Sequence, residues 1–169
     1  MLYKHILIPT DFSPAANHAL GFAFEEATQH QTELTMLHVM QHHAATEVYY
    51  IKGAPEHQFG FESEIGGTLP SPQISHPEAI RRDHHEEALA QLRDLVPGSF
   101  TRPWHAQVAI GDPADAIVRI ARELGADLIV MGTHGRTGFQ HVFLGSVAEK
   151  VVRHAPCPVL TVRDTDHAK

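Results

Sequence analysis

Strand-like and helix-like stretches alternate along the whole chain, and that order leaves few folds open. Ile6, Leu7 and Ile8 make a short apolar run ended by Pro9, and residues 34–40, 127–131 and 159–162 make three more. Trp104, Ala106, Val108 and Ile110 alternate with polar or small neighbours and make a further strand. Continuous apolar runs of this length are expected of strands buried on both faces. Between them lie helical patterns. Ser13-Pro14 supplies an N-cap and a first-turn proline, and Ala16, Ala19, Leu20, Ala23, Phe24 and Ala27 then form one apolar stripe. Ser75 and Glu78 have capping-box spacing and open a helix to about Val96, with Ala88, Leu92, Leu95 and Val96 inward and Pro97-Gly98 as the stop. Asp112-Pro113 caps a third helix, whose stripe is Ile117, Ile120, Ala121 and Leu124 and whose end is Gly125. A last helix is expected from Ser146 to about His154.

Right-handed crossovers turn a β-α-β-α-β-α-β-α-β order into an α/β fold: a doubly wound, five-stranded parallel sheet with helices on both faces. The expectation is a single domain over residues 1–169, with one long variable loop at about 41–76 that collects glycines, prolines, histidines and aromatics. The formal net charge of −7 argues against a general nucleic-acid or anionic-membrane binder. Cys157 is the only cysteine, so no internal disulfide can form. The N-terminal apolar run is too short for a leader or a membrane span. A cytoplasmic protein is expected. The 15 histidines are read as surface and core residues; no metal-ligand cluster is evident. His38 reads as a satisfied core histidine, His84 as a packing or interface residue.

Ligands of such sheets sit at the carboxyl ends of strands, near the switch in strand order. Two chemically distinctive segments follow strand ends there: Pro9-Thr10-Asp11, and residues 132–146 (GTHGRTGFQHVFLGS). Gly132, Gly135 and Gly138 free the backbone to turn and to approach a ligand, and successive N–H groups in such a turn bind anions. Gly145-Ser146 opens a helix whose first N–H groups favour an anion as well. Ser146 and Glu149 have capping-box spacing, which divides the serine hydroxyl between cap and phosphate. Taken alone, the glycines fit an anion cradle or a simple strand-to-helix turn. Neither a Walker lysine nor a dinucleotide fingerprint after the first strand is present. A receiver domain would need an acidic cluster after the first strand, and a PP-loop hydrolase would need Ser-Gly-Gly there; Pro9 to Ser13 supplies neither.

The spacing Gly132-x2-Gly135-x9-Gly145-Ser146 resembles the Gly-x2-Gly-x9-Gly-Ser/Thr motif of the ATP-binding branch of the universal stress protein family. Residues 6–11 (ILIPTD), 124–132 (LGADLIVMG) and 156–162 (PCPVLTV) fit that resemblance, which covers residues 2–163 outside the variable loop and second helix. It implies a Rossmann-like fold related to the adenine nucleotide α-hydrolases, and ATP as ligand. Pro9, Thr10 and Asp11 would lie beside the adenosine, with Asp11 accepting a hydrogen bond from ribose or adenine. Val39 would meet the adenine through its backbone. Met131 and Gly132 would line the ribose, and His134, Gly135, Arg136, Gly145, Ser146 and Val147 would surround the phosphates. Arg136 would be the charge partner of the phosphates, and Mg²⁺ or Mn²⁺ is implied by the triphosphate itself. The family also implies a homodimer through Val159–Val162 and a protein partner that the sequence does not identify. Three functions stay open: a regulatory ATP-binding module, a slow ATPase, and a scaffold with a vestigial site. No catalytic residue is assigned, since no positioned base is legible.

Overall fold

The computed structural model describes residues 3–41, 77–133 and 144–163. Its elements are β1 (His5–Thr10), α1 (Pro14–His30), β2 (Glu33–Met40), α2 (Pro77–Asp94), β3 (Trp104–Ile110), α3 (Pro113–Leu124), β4 (Leu128–Gly132), α4 (Ser146–His154) and β5 (Val159–Val162). The strands form one parallel sheet in the order β3-β2-β1-β4-β5. The variable loop and the Ser75 cap lie outside the described residues.

Alternation along each strand sends side chains to opposite faces of the sheet. Ile6, Ile8, Leu34, Met36, Leu128 and Val130 meet Ala19, Ala23 and Phe24 of α1 and Leu92 of α2. On the other face Leu7, Leu37, Ile129 and Met131 meet Ile117, Ile120 and Ala121 of α3 and Val151 of α4. Both faces are therefore covered, as continuous apolar strands require. The alanine stripe of α1 is buried throughout. Its small side chains bring that helix close to the sheet. The third strand is less covered than its alternation suggests, because Ile110 is 50% exposed at its end while Ala109 is buried on the opposite face.

Pro9 does not end the first strand. Lys4 O accepts from Glu33 N–H and His5 O accepts from Asp127 N–H, so even-numbered β1 residues face β2 and odd ones face β4. Pro9 is odd and has no N–H to give. Pairing with β4 accordingly stops at Leu7↔Ile129, whereas pairing with β2 runs on to Thr10↔His38. The proline thus parts β1 from β4 at their carboxyl ends without interrupting β2. Asp127, expected within the fourth strand, precedes it; its Oδ2 accepts the N–H groups of Lys4 and His5 at 2.8 and 3.1 Å. Among the described residues no helix is long and apolar enough to cross a membrane.

Candidate functional site

The strand order switches at β1: the chain leaves β1 for β2 on one side and returns to β4 on the other. A cavity of about 680 Å³ lies over these strand ends, within the range of small-molecule sites. Pro9, Thr10 and Asp11 line it from the end of β1, and Val39 from the end of β2. Met131 and Gly132 line it from β4, and Gly145, Ser146 and Val147 from the start of α4. His134, Gly135 and Arg136 lie outside the described residues. A second hollow, of about 270 Å³, lies beside Tyr3, Phe22 and Pro158 and is lined by none of these groups.

Three helices turn their N-terminal ends toward the cavity, which Ala16, Pro113 and Ser146 border. Two of these ends are closed. Ser13 Oγ accepts the Ala16 N–H at 3.3 Å, and Asp112 Oδ1 accepts the N–H groups of Ala114 and Asp115 at 3.0 and 3.1 Å. The third end is different. The cap of α4 is Gly145, with no side chain to offer, and Ser146 is the first helical residue rather than the cap. The expected Ser146–Glu149 capping box does not form; the Glu149 carboxylate pairs with Arg153 at 2.8 Å instead. Among the described residues the first-turn N–H groups of α4 therefore carry no side-chain cap, and the helix dipole adds to their affinity for an anion.

Gly132 serves a different purpose from the one its sequence suggests. It has no positive φ, and a Cβ added there would lie 3.0 Å from the Ala15 carbonyl. Its missing side chain lets the end of β4 lie against the backbone of α1. Beyond it, Thr133 N–H reaches Val162 O at 3.1 Å and Gly145 N–H reaches Thr133 O at 2.7 Å. The chain thus leaves the sheet and re-enters α4 at one hydrogen-bonded point on the cavity wall.

Sequence reasoning missed several wall residues. His84 borders the cavity from α2, although it reads as a packing residue. Its signal is the Ala88–Leu92 stripe: one turn earlier on a helix that runs back along the sheet lies above the strand ends. His38 is satisfied as expected, with Nδ1 2.9 Å from Thr10 O, yet it also borders the cavity. Phe12, beside Asp11, has φ 64°, a conformation that costs an ordinary residue roughly 1–2 kcal/mol.

The family model described as the universal stress protein family matches residues 2–163. The chain belongs to that family. Universal stress protein MJ0531 of Methanocaldococcus jannaschii is 33% identical over 163 residues, covering 96% of this chain and 83% of the relative. Universal stress protein MJ0577 of the same organism is 30% identical, with 96% of each covered. The solved structure of MJ0577 superposes with a TM-score of 0.72 over 98% of this chain and 99% of that one, at 28% identity. A universal stress protein solved in complex with cAMP shares the fold, with a TM-score of 0.62 at 19% identity, over 96% and 98% of the two chains.

In this universal stress protein the described cavity wall holds no lysine or arginine. Its walls are apolar around Val39, Met40, Pro113, Ile117 and Met131, with Asp11 as the only carboxylate among the described lining residues. Lys150, one turn into α4, sits 3.8 Å from Asp112 Oδ2. Among the described residues no group of three or more His, Cys, Asp or Glu is placed to hold a metal. Cys157 is half-buried, and burial first and the Asp127 carboxylate second push its thiol above the usual range. It is a protonated, weakly nucleophilic packing residue at neutral pH.

Proposed function

We propose that this universal stress protein is a nucleotide-dependent regulatory module that binds ATP, retains it with little turnover, and acts as a homodimer. The observation that carries the reading is the asymmetry of the cavity. Its described lining combines the N-terminus of α4, which has no side-chain cap among the described residues, with apolar residues of β2, α3 and β4 and the Asp11 carboxylate. A triphosphate suits the first, through backbone N–H groups and dipole. A flat, apolar base with a hydroxyl-bearing ribose suits the second, with Asp11 Oδ as an acceptor. The match of Gly132, Gly135, Gly145 and Ser146 to the family's ATP motif supports the same assignment, with Arg136 supplying charge to the phosphates. The donor set fits a cation carried by the phosphates, Mg²⁺ or Mn²⁺, because the single carboxylate among the described lining residues is no dedicated cage.

Denaturing the purified protein and identifying the nucleotide it releases tests the reading directly. About one ATP per chain is expected, with phosphate release far below ordinary enzyme turnover of about 10 s⁻¹. Gly145→Val is the decisive variant. Gly145 has φ −66° and ψ 154°, a conformation valine adopts without strain. Gly145 lines the cavity, so a valine there is expected to crowd the anion end, and a far-ultraviolet circular dichroism spectrum like the parent's checks that the fold is kept. Undiminished ATP retention in Gly145→Val would reject the site.

A further inference from the structure

The β1–α1 turn, residues 10–13, runs against the preference of its own sequence. Phe12 has φ 64°, the left-handed region where a bulky L-residue is an outlier and glycine is usual. Such a conformation persists only where the surroundings over-determine it, and such positions concentrate at ligand sites. Restraints reach this turn from two sides. Within it, Thr10 Oγ1 accepts the Phe12 N–H and Asp11 Oδ1 accepts the Ser13 N–H, each at 3.0 Å. Local bonds of this kind belong to the turn itself. From outside, one residue of β2 grips the turn twice. His38 Nδ1 lies 2.9 Å from the Thr10 carbonyl oxygen, and its ring meets that of Phe12 at a centroid distance of 4.5 Å.

A carbonyl oxygen only accepts, so Nδ1 of His38 carries the proton. The neutral ring is therefore the Nδ1–H tautomer. Its two contacts bracket Asp11 in sequence, one on the residue before and one on the residue after. Thr10 and His38 are also direct register partners on adjacent strands. Asp11 and His38 both border the cavity. A glycine at position 12 would adopt this turn unaided. A phenylalanine makes the turn depend on a clamp.

We propose that His38 is a positioning residue for nucleotide recognition: by holding the Thr10 carbonyl and the Phe12 ring, it fixes the left-handed turn in the form that presents Asp11 to the ligand. The inference rests on the ATP-binding reading above and assigns, within it, what preorganises the carboxylate. A merely structural histidine would alter stability alike whatever residue stands at position 11. A positioning histidine acts on the ligand through Asp11.

The experiment is a double-mutant cycle on ATP affinity in the full chain, read by calorimetry. His38→Phe keeps an aromatic ring near Phe12 and removes the donor to Thr10. It is expected to weaken ATP about tenfold in the parent protein and less than about twofold in an Asp11→Ala background. His38→Asn sets an N–H donor one bond from Cγ, as Nδ1 is, and is expected to recover affinity to within about threefold of the parent. Equal losses in both backgrounds, or no loss in the parent, would overturn the proposal. A long-range ¹H–¹⁵N spectrum of the unliganded protein checks the clamp without any substitution. A proton on Nε2 alone would overturn it even if the variants failed to fold. If the parent binds no ATP, the functional reading falls and the ligand role of Asp11 with it, while the spectrum still reports whether the clamp exists.

Discussion

Gly132 is where fold and cavity compete for the same space. A Cβ there would meet the carbonyl carbon and oxygen of Ala15 at 3.0 Å and the Ala16 nitrogen at 3.3 Å. Those are main-chain atoms in the first turn of α1, held by the Ser13 cap, so they cannot swing aside as a side-chain tip would. Gly132→Ala is therefore expected to destabilise the fold by roughly 1–3 kcal/mol, the range for overpacking a close contact. Urea unfolding at unchanged slope would measure it. Gly98→Ala is the control: it has open space around it and no positive φ, and it should be neutral or stabilising by up to about 1 kcal/mol through the unfolded chain. A Gly132→Ala variant as stable as Gly98→Ala would show that α1 yields freely.

At the scale of elements, the helices differ in how they are closed, and the difference is measurable. Asp112 caps α3 through two N–H groups and also faces Lys150 on α4. The cap carries the energy and the ion pair does not. Asp112→Ala should cost about 1 kcal/mol. Lys150→Ala should change stability by less than about 0.5 kcal/mol, since both partners are exposed and the pair is long. Thermal melts of the two variants distinguish them, and equal losses would mean the pair outweighs the cap. Local chemistry of this kind explains what was legible in the sequence. Ser13-Pro14, the alanine stripe of α1, and Asp112 with Gly125 around α3 each act within a few residues, and their elements stand where the pattern puts them. Pro9 to Asp11 are legible as a strand end because a parallel sheet gathers its carboxyl ends, whereas Val39 and Met131 enter only through the family resemblance; all five border the cavity. What escaped depends on neighbours remote in sequence. Gly132 answers to Ala15, His84 to the strand ends beneath α2, and the left-handed Phe12 to His38. The Ser146–Glu149 spacing leaves the serine hydroxyl divided between cap and phosphate, and the cap half of that reading does not hold because the backbone turns one residue earlier, at Gly145.

For the whole molecule, the open question is what meets the sheet edge at β5. Pro158 O accepts from Ile129 N–H at 3.0 Å and Val162 O accepts from Thr133 N–H at 3.1 Å. Even-numbered β5 residues therefore face β4, and Val159 and Thr161 turn their N–H and C=O groups outward. Among the described residues nothing pairs with that edge, although Val159, Leu160, Thr161 and Val162 are all half-buried within the single chain. Phe22, 38% exposed, lies beside the same edge at the smaller hollow. An open apolar edge invites pairing with another strand, and a two-fold axis would let a second copy satisfy it reciprocally. That is the dimer proposed above. Thr161→Pro removes one outward N–H and leaves the bonds to β4 intact, a position at which edge strands tolerate proline. The parent is expected to sediment as two chains and the variant as one, with a melting temperature lowered no more than loss of the partner's mass action accounts for. ATP binding is expected to survive in the monomer, because no residue of β5 is among the described lining of the cavity. A Thr161→Pro protein that folds and still sediments as a dimer would place the interface elsewhere.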